Sequence, residues 1–345
     1  MAQSRVSFGD WLRQRTGWTS LRDELSSRTI AGDNVTPYLG GAALMLLGLQ
    51  VASGALLLLH YQPSAEHAHE SVVRITGELP FGDLLRGIHV YSGTLLIGVV
   101  ALILFGVLLK RTFVAPRELT WLTGIALLLL CVALAFTGGI LPWSQDAYLQ
   151  ARVGSEMASY MPVLGDALRR FLRGGDEVTT LTLQRAFGFH VAVLPATLTL
   201  VLVVHLLMLR AANAIEQPEA PENRIPIYPD FLLRLSAVGV AVLALVISLA
   251  TFVEPTVGIP ANPTAALSGA ERPGWYLLFV HELLRLAPEK LLGLDSPTFI
   301  GGALTALLVL VFCVPFLDRR GSRVTSGLAA VLVGLALLLT VYALL

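Results

Sequence analysis

Cysteine and charge are both scarce in this sequence. Its 345 residues include two cysteines and only 14% charged residues, and the formal net charge is zero. Cys131 and Cys313 lie in separate apolar runs without CxxC or CxxCH spacing, so the sequence predicts neither a disulfide framework nor a covalently attached cofactor. The balanced charge argues against a nucleic-acid partner. Residues 1–34 contain no apolar core of the signal-peptide type, so we expect membrane insertion to depend on the first apolar run.

Apolar residues, in contrast, make up 55% of the chain and gather in long runs. Runs of about 20 apolar residues are long enough for a helix to cross a bilayer. The composition therefore predicts an all-α integral membrane protein with seven transmembrane helices. The predicted spans are residues 37–60, 88–109, 119–141, 187–209, 231–253, 297–317 and 324–345.

The distribution of Lys and Arg among the loops predicts how the chain is oriented. More of them fall on the side that carries the N-terminus, and short loops rich in Lys and Arg stay in the cytoplasm. We therefore expect a multi-pass protein of a bacterial inner membrane with a cytoplasmic N-terminus. Four regions follow: an amphipathic N-terminal segment at 1–36, four spans at 37–210, a proline-rich linker at 211–230 and three spans at 231–345.

Three segments outside the spans have amphipathic character. Trp11 to Leu25 mixes Trp, Leu and Arg at near-helical spacing, which indicates an interfacial helix or, alternatively, a solvated cap. Asp146 to Arg173 and Trp275 to Arg285 are the other two, and both fall in long loops on the non-cytoplasmic side. Because loops carry function on a rigid scaffold, we expect an elaborated site on that side of the membrane.

Three histidines within the predicted spans point to a cofactor. His190 and His205 are 15 residues apart, which on one helix separates them by about 22 Å and rotates them by only about 60 degrees. His89 lies at the same end of the second span as His190 does in the fourth. An ionisable side chain inside a membrane is costly and therefore usually indicates a functional site. Two neutral imidazoles on facing helices are a common ligand pair for haem iron. Gly93 offers a gap where a flat macrocycle could approach the backbone, although helix packing uses small residues as often.

Several ordered motifs carry a resemblance to a known family. They are Pro116-Arg117-Glu118-Leu119-Thr120-Trp121-Leu122-Thr123-Gly124, Leu141-Pro142-Trp143, Gly258-Ile259-Pro260-Ala261-Asn262-Pro263, Trp275-Tyr276, Lys290-Leu291-Leu292-Gly293 and Pro315-Phe316-Leu317. Together with the histidines they resemble the cytochrome b of Rieske-type quinol-oxidising complexes. The plastid-type protein, fused to its three-span companion subunit, is the more similar form. The resemblance runs from about Trp11 to about Leu317.

The resemblance implies one complete haem site and one incomplete site. His89 and His190 match the iron ligands of the outer haem b, and Arg86 matches a basic residue near its propionates. His205 matches one ligand of an inner haem, but Ile103 stands where its partner is expected. Isoleucine cannot bind iron, so the inner haem is either missing or held by His205 alone. The first four spans are thus expected to form a haem-binding bundle with one outer haem b.

The resemblance also implies an outer quinone pocket that has lost a carboxylate. The family's Pro-Glu-Trp-Tyr signature is Pro273-Gly274-Trp275-Tyr276 here, and Pro142 and Trp143 would line the same pocket. The missing glutamate is the group that would accept a quinol proton. His281 and Glu282, about two turns further along, are the candidates to replace it in general base catalysis. The alternative is that they form the solvated face of an interfacial helix.

These expectations favour a mono-haem cytochrome b-like subunit of a membrane redox complex. It would exchange electrons between quinone or quinol near the outer face and an extracytoplasmic c-type cytochrome or iron–sulfur subunit, without a standard Q cycle. One alternative is a membrane anchor and scaffold that does not turn over quinol, and another is a complete quinol–cytochrome c reductase with an unusual inner haem ligand. The implied partners are other subunits of the complex, lipid and a second copy in a homodimer.

Overall fold

The computed structural model describes residues 7–215, 223–264 and 272–345. Residues 1–6, part of the predicted linker and part of the predicted quinone-pocket loop therefore lie outside the described residues. In chain order, the helices of the described ranges are α1 Phe8–Thr16, α2 Trp18–Ser27, α3 Thr36–Leu58, α4 Ala68–Gly77, α5 Gly82–Lys110, α6 Glu118–Ile140, α7 Gln145–Ser159, α8 Gly165–Arg173, α9 Thr180–Gly188, α10 Leu194–Ile215, α11 Leu232–Phe252, α12 Leu278–Leu286, α13 Ser296–Leu317 and α14 Arg323–Leu344.

Within the described residues, seven helical segments are long and apolar enough to cross a membrane, which confirms the predicted number. They are α3, α5, α6, the continuous α9–α10 helix, α11 with the turn before it, α13 and α14. A π-helical turn at Phe189–Val193 joins α9 to α10 and carries His190. The chain is therefore a multi-pass, mostly helical membrane protein.

Two spans begin about two helical turns earlier than the apolar windows predict. The second begins at Gly82 rather than residue 88, and the fourth at Thr180 rather than residue 187. The apolar window stops at charged residues, whereas the helix continues past them because their polar groups find partners. Arg86, for example, is buried in α5 and donates to two backbone carbonyls. His89 consequently lies two turns inside α5 instead of at its start.

Two short antiparallel ribbons accompany the helices in the part of the chain that the structure describes. β1 (Thr29–Ala31) pairs with β2 (Arg224–Pro226), and β3 (Lys290–Leu291) pairs with β4 (Leu294–Asp295). The first ribbon connects the N-terminal segment to the region predicted as a linker. That region is also occupied at its start by the end of α10. The described parts of residues 211–230 are thus regular structure rather than an irregular connection.

The amphipathic segments form more helices than the sequence predicts. Trp11 to Leu25 is divided into α1 and α2 at Gly17, whose φ of 62° ends the first helix. The segment from Asp146 to Arg173 forms α7 and α8, and α12 follows a 3-10 turn at Trp275–Leu277. α4 was not predicted. Trp11 and Trp18 remain exposed on α1 and α2, so interfacial placement of these helices stays a prediction.

Three apolar clusters pack the described helices together, and one of them, formed by Phe113, Trp121 and Ile125, lies near the start of α6. In the middle, Leu46, Leu96, Cys131, Leu198 and Val246 bring five spans into one core. At one end, a second cluster packs α4, α7 and α9 against the end of α6 and includes Ala68, Ile140, Trp143, Tyr148 and Leu183. We call the end of the bundle that bears α4, α7, α8 and α12 the loop face.

Candidate functional site

His89 and His190 face each other across the first four spans. His89 projects from α5 and His190 from the π-helical turn between α9 and α10. Their ring centroids are 6.1 Å apart with an angle of 78° between the ring planes. One metal ion held by two imidazole nitrogens, each at about 2 Å, separates the ring centres by roughly 6 Å. This spacing fits two histidines that would hold one iron between them.

Hydrogen bonds orient both imidazoles for ligation. Ser53 Oγ donates to the Leu49 carbonyl and lies 2.9 Å from His89 Nδ1, so it accepts the proton of that nitrogen. His190 Nδ1 lies 3.0 Å from the Leu134 carbonyl oxygen, which likewise accepts a proton. Such a bond fixes the tautomer of a ligating histidine. In both residues Nε2 is then the nitrogen that can bind iron.

Two glycines that the sequence reasoning missed make room for these rings. A Cβ atom on Gly138 would lie 2.6 Å from His190 Cε1, and one on Gly54 would lie 3.1 Å from His89 Cε1. Side chains at these positions would displace the imidazoles. Spacing could have revealed them, because Gly54 and Gly138 each have a second glycine 14 residues earlier, Gly40 and Gly124.

Gly93, the glycine that was selected from the sequence, faces α3. A Cβ atom on it would lie 3.3 Å from Gln50 Nε2. This amide nitrogen donates to the carbonyl oxygen of His89 and to Ser92 Oγ at 2.6 Å. Gln50 thereby fastens the backbone of the ligand helix α5 to α3. The approach of a macrocycle at Gly93 stays a prediction.

The surroundings of His205 repeat those of His190 on α6 but lack a second histidine on α5. His205 Nδ1 lies 2.9 Å from Thr123 Oγ1, just as His190 Nδ1 lies 3.3 Å from Thr137 Oγ1, 14 residues further along α6. Gly124 is next to the His205 ring as Gly138 is next to His190. On the facing helix, however, the corresponding position is Ile103.

A neighbouring leucine also enters the gap at this second level. Leu104 Cδ2 would lie 3.0 Å from a Cβ atom on Gly124. The two levels therefore differ in their fit to haem. Residues at the His89–His190 level supply two oriented nitrogens with space cleared beside them, whereas the His205 level supplies one nitrogen.

Arg86 binds a loop rather than standing free near the ligands. Its Nη1 and Nη2 donate to the carbonyl oxygens of Pro255 and Thr256 at 2.5 and 2.9 Å. These contacts attach the chain that follows α11 to the second span. The interaction of Arg86 with haem propionates, which the resemblance implies, stays a prediction.

The residues expected to line a quinone pocket fall into different environments. Trp143 is buried in the loop-face cluster, and Tyr276 packs against the central cluster. Pro273 is buried, whereas Trp275 is 40% exposed. Burial raises the pKa of the Tyr276 phenol, which accepts a hydrogen bond from Gln150 Nε2 at 3.3 Å. Pro142 lies beside Trp143 at the end of α6.

His281 and Glu282 do not form a solvated helix face. Glu282 is buried, and its Oε2 accepts a hydrogen bond from Arg285 Nε at 2.8 Å. His281 Nδ1 lies 3.7 Å from Glu282 Oε1. The imidazole borders a cavity of about 500 Å³ whose other lining residues include Arg152, Glu156, Tyr160, Leu284 and Pro297. The solvated alternative is therefore wrong for Glu282.

Known proteins are similar to this chain over most of its length. The family model of cytochrome b/b6/petB matches residues 27–213, and that of cytochrome b (C-terminal)/b6/petD matches residues 260–345. A cytochrome bc complex cytochrome b subunit from Chlorobaculum thiosulfatiphilum is 34% identical over 297 residues, which are 83% of this chain and 67% of that protein. A cytochrome b6 from Synechococcus sp. (strain JA-3-3Ab) is 38% identical over 202 residues, which are 58% of this chain and 94% of that protein.

The fold is shared with a solved structure. A chain described as belonging to a hyperthermophilic respiratory Complex III matches with a TM-score of 0.84 and 28% sequence identity, covering 97% of this chain and 91% of that one. The two family models follow each other in one polypeptide, as expected for a fusion of the plastid-type protein with its companion subunit. The resemblance read from the motifs is confirmed, and the chain belongs to the cytochrome b/b6 family.

Proposed function

We propose that this chain is a mono-haem cytochrome b subunit of a bc-type membrane complex. It exchanges electrons between quinone or quinol near the outer face and an extracytoplasmic redox partner, a c-type cytochrome or an iron–sulfur subunit. The observation that carries the proposal is the contrast between the two levels. His89 and His190 lie at the spacing of two iron ligands, whereas His205 faces a helix with Ile103 at the partner position.

The chemistry of the site supports a b-type haem at the His89–His190 level. Haem, when bound there, supplies one-electron redox chemistry. The residues of the chain hold and orient it: Ser53 and the Leu134 carbonyl set the tautomers of the two ligands, and Gly54 and Gly138 keep the ring edges clear. The names of the similar proteins, a subunit of a bc complex and a chain of a respiratory Complex III, support placement in a multi-subunit complex.

A standard Q cycle is not part of this proposal. Such a cycle moves an electron across the membrane through two haems, and helical rise puts His205 about 22 Å from His190. One nitrogen at the second level is an incomplete ligand set for a low-spin haem of the family type. We further propose a bacterial inner membrane location, a cytoplasmic N-terminus and a homodimer, in line with the sequence expectations.

Haem quantification in the purified complex tests the proposal. Pyridine haemochrome analysis is expected to give one haem b per chain, lost in His89→Ala and kept in His205→Ala. Two b haems per chain in the unmodified protein, or none, would reject it. Quinol-driven haem reduction separates it from a scaffold role, because a scaffold predicts that His89→Ala leaves the electron transfer activity of the complex unchanged.

A further inference from the structure

Five basic side chains gather at the end of the bundle opposite the loop face. α5 and α13 both begin at the loop face, so their last turns lie at this opposite end, where α14 begins. Each of the five is exposed and adjoins the end of one of these three spans. We call them the basic cluster, which consists of Lys110, Arg111, Arg319, Arg320 and Arg323.

Contacts between two separate parts of the chain bring the basic cluster together. Arg111 Nη1 donates to the Gly321 carbonyl oxygen at 3.4 Å, and Ser326 Oγ donates to the Leu108 carbonyl oxygen at 2.9 Å. A Cβ atom on Gly321 would lie 2.9 Å from the Cβ atom of Arg111, and its φ of 62° also favours glycine. The end of α5 and the turn between α13 and α14 are therefore held against each other.

The charges of the basic cluster are not neutralised by acidic side chains. In the described ranges of the chain, none of its five residues forms an ion pair. Asp318, which directly precedes Arg319, uses its carboxylate within the turn. Its Oδ2 accepts a hydrogen bond from the Ser322 backbone N–H at 2.7 Å and another from the Thr325 hydroxyl. The basic cluster is therefore open to an anion from outside the chain.

Exposed apolar side chains continue from the basic cluster along the spans. Phe316 and Leu317 precede it on α13. On α14, Val324, Leu328 and Val331 follow at helical spacing, and all three are exposed. Because α13 and α14 are long and apolar enough to cross a membrane, these side chains are placed to meet acyl chains. A ligand with a negative headgroup and hydrocarbon tails matches both parts of this surface.

We propose that the basic cluster binds the headgroup phosphate of an anionic phospholipid, whose acyl chains lie along the exposed faces of α13 and α14. Guanidinium groups bind phosphate oxygens through charge-assisted hydrogen bonds, and basic groups between transmembrane helices bind anionic headgroups. An acidic segment of a soluble protein would match the charges alone, whereas a lipid also covers Val324 and Leu328. This lipid site goes beyond the proposed function, because it does not depend on the number of haems.

Native mass spectrometry of the intact complex with phosphatidylglycerol as the probe tests this lipid site. One basic residue near anionic lipid contributes about fivefold to affinity, so Arg319→Gln combined with Arg320→Gln is expected to weaken binding by about 25-fold. The haem content is expected to stay unchanged. Arg319→Lys combined with Arg320→Lys keeps both charges and is expected to retain most of the affinity. Equal affinity of the glutamine double variant and the unmodified complex would overturn the proposal.

Arg22→Gln combined with Arg28→Gln is the matched control for net charge. Both arginines are exposed on α2 or at its end, and both are ion-paired, Arg22 with Asp23 at 2.9 Å and Arg28 with Glu24 at 2.5 Å. Because neighbouring carboxylates already neutralise these charges, the control is expected to bind phosphatidylglycerol as the unmodified complex does. An equal loss of affinity in the two glutamine double variants would overturn the proposal, since net charge alone would then explain binding.

Thermal unfolding of the unmodified complex gives a measurement that needs no variant. A ligand that binds only the native state raises the unfolding temperature. Phosphatidylglycerol is expected to raise it more than phosphatidylcholine, which has the same acyl chains but no net charge. Equal shifts with the two lipids would overturn the proposal. Tighter binding of a soluble poly-glutamate peptide than of phosphatidylglycerol would also overturn it and would assign the basic cluster to an acidic protein segment instead.

Discussion

Glycine decides the geometry of the ligand pair at the scale of single residues. The rings of His89 and His190 each lie beside a glycine on a neighbouring helix, and Gly138 is the closer of the two. No other residue type leaves this space, because even a methyl group at Gly138 would overlap the imidazole. A residue without a side chain therefore determines whether the two imidazole rings can lie at this distance from each other.

Gly138→Ala is expected to displace the His190 ring and to abolish stoichiometric haem binding. The added Cβ atom would lie 2.6 Å from Cε1, and overpacking of this kind costs about 1–3 kcal/mol. Haem per chain and the Soret spectrum measure the effect. Gly98→Ala on α5 is the control, since a Cβ atom there meets nothing within 4 Å. Normal haem content in Gly138→Ala would contradict the assignment of this site.

Side-chain chemistry in the sequence predicts some of these residues and leaves others hidden. His89 and His190 stand out because an ionisable side chain in an apolar run is costly, and the structure brings them together. Gly54 and Gly138 cannot be distinguished in the sequence from glycines that allow close helix packing. Their role is to have no side chain where a histidine ring lies. The burial of Glu282 was equally hidden, because helical periodicity cannot tell whether a polar face meets water or a cavity.

At the scale of elements, α5 does more than carry one ligand. Arg86 lies one turn from His89 on this helix and binds the carbonyls of Pro255 and Thr256. Gln50 fastens the same helix to α3 on its other side. Helix α5 is thereby fixed both to α3 and to the chain that follows α11.

Arg86→Leu is expected to release the loop at residues 253–264. Hydrogen bonds to a charged group contribute about 1.5–3 kcal/mol, and both carbonyls lose their partner. Limited proteolysis followed by mass spectrometry should show faster cleavage in this loop. Arg74→Ala is the control, because Arg74 also donates to a carbonyl, that of His60, but from an exposed position. Equal cleavage of the two variants would argue against this function of Arg86.

The elements also show where sequence patterns stop being informative. Long apolar windows predicted seven spans correctly, because a membrane-crossing helix needs about 20 such residues. The early starts of α5 and α9 were missed, since their charged residues are satisfied by distant partners. The pairing of Thr29–Ala31 with Arg224–Pro226 was missed as well, because three-residue strands have no detectable period.

At the scale of the whole molecule, the bundle has two levels of unequal completeness. α6 repeats its threonine and glycine at a spacing of 14 residues, and the α9–α10 helix repeats its histidine at 15. Only α5 breaks the repeat, at Ile103. The departure from the repeat thus lies on α5, while α6 and the α9–α10 helix keep their threonine, glycine and histidine at the second level.

Ile103→His combined with Leu104→Ala is expected to install a second haem. The histidine supplies the absent ligand, and the alanine clears the side chain that lies against Gly124. Haem analysis should rise from one to two b haems per chain. Leu102→His with Leu104→Ala is the matched control, because Leu102 is 52% exposed on the outside of the bundle. If both double variants contained one haem per chain, the inference that His205 and its surroundings can still form a second haem site would be contradicted.

The ribbon between β1 and β2 has a consequence for the covalent continuity of the polypeptide. One strand precedes the first span and the other follows the fourth, and Arg224 reinforces the pairing through the Thr29 carbonyl at 2.9 Å. The fifth span also packs into the central core through Val246. If the chain were cut between α10 and β2, one fragment would carry β1 and the other β2. Two fragments made separately would therefore be able to assemble through the pairing of these strands. Contacts within the folded protein align the two fragments. The peptide connection between them therefore mainly ensures that they occur in a ratio of one to one.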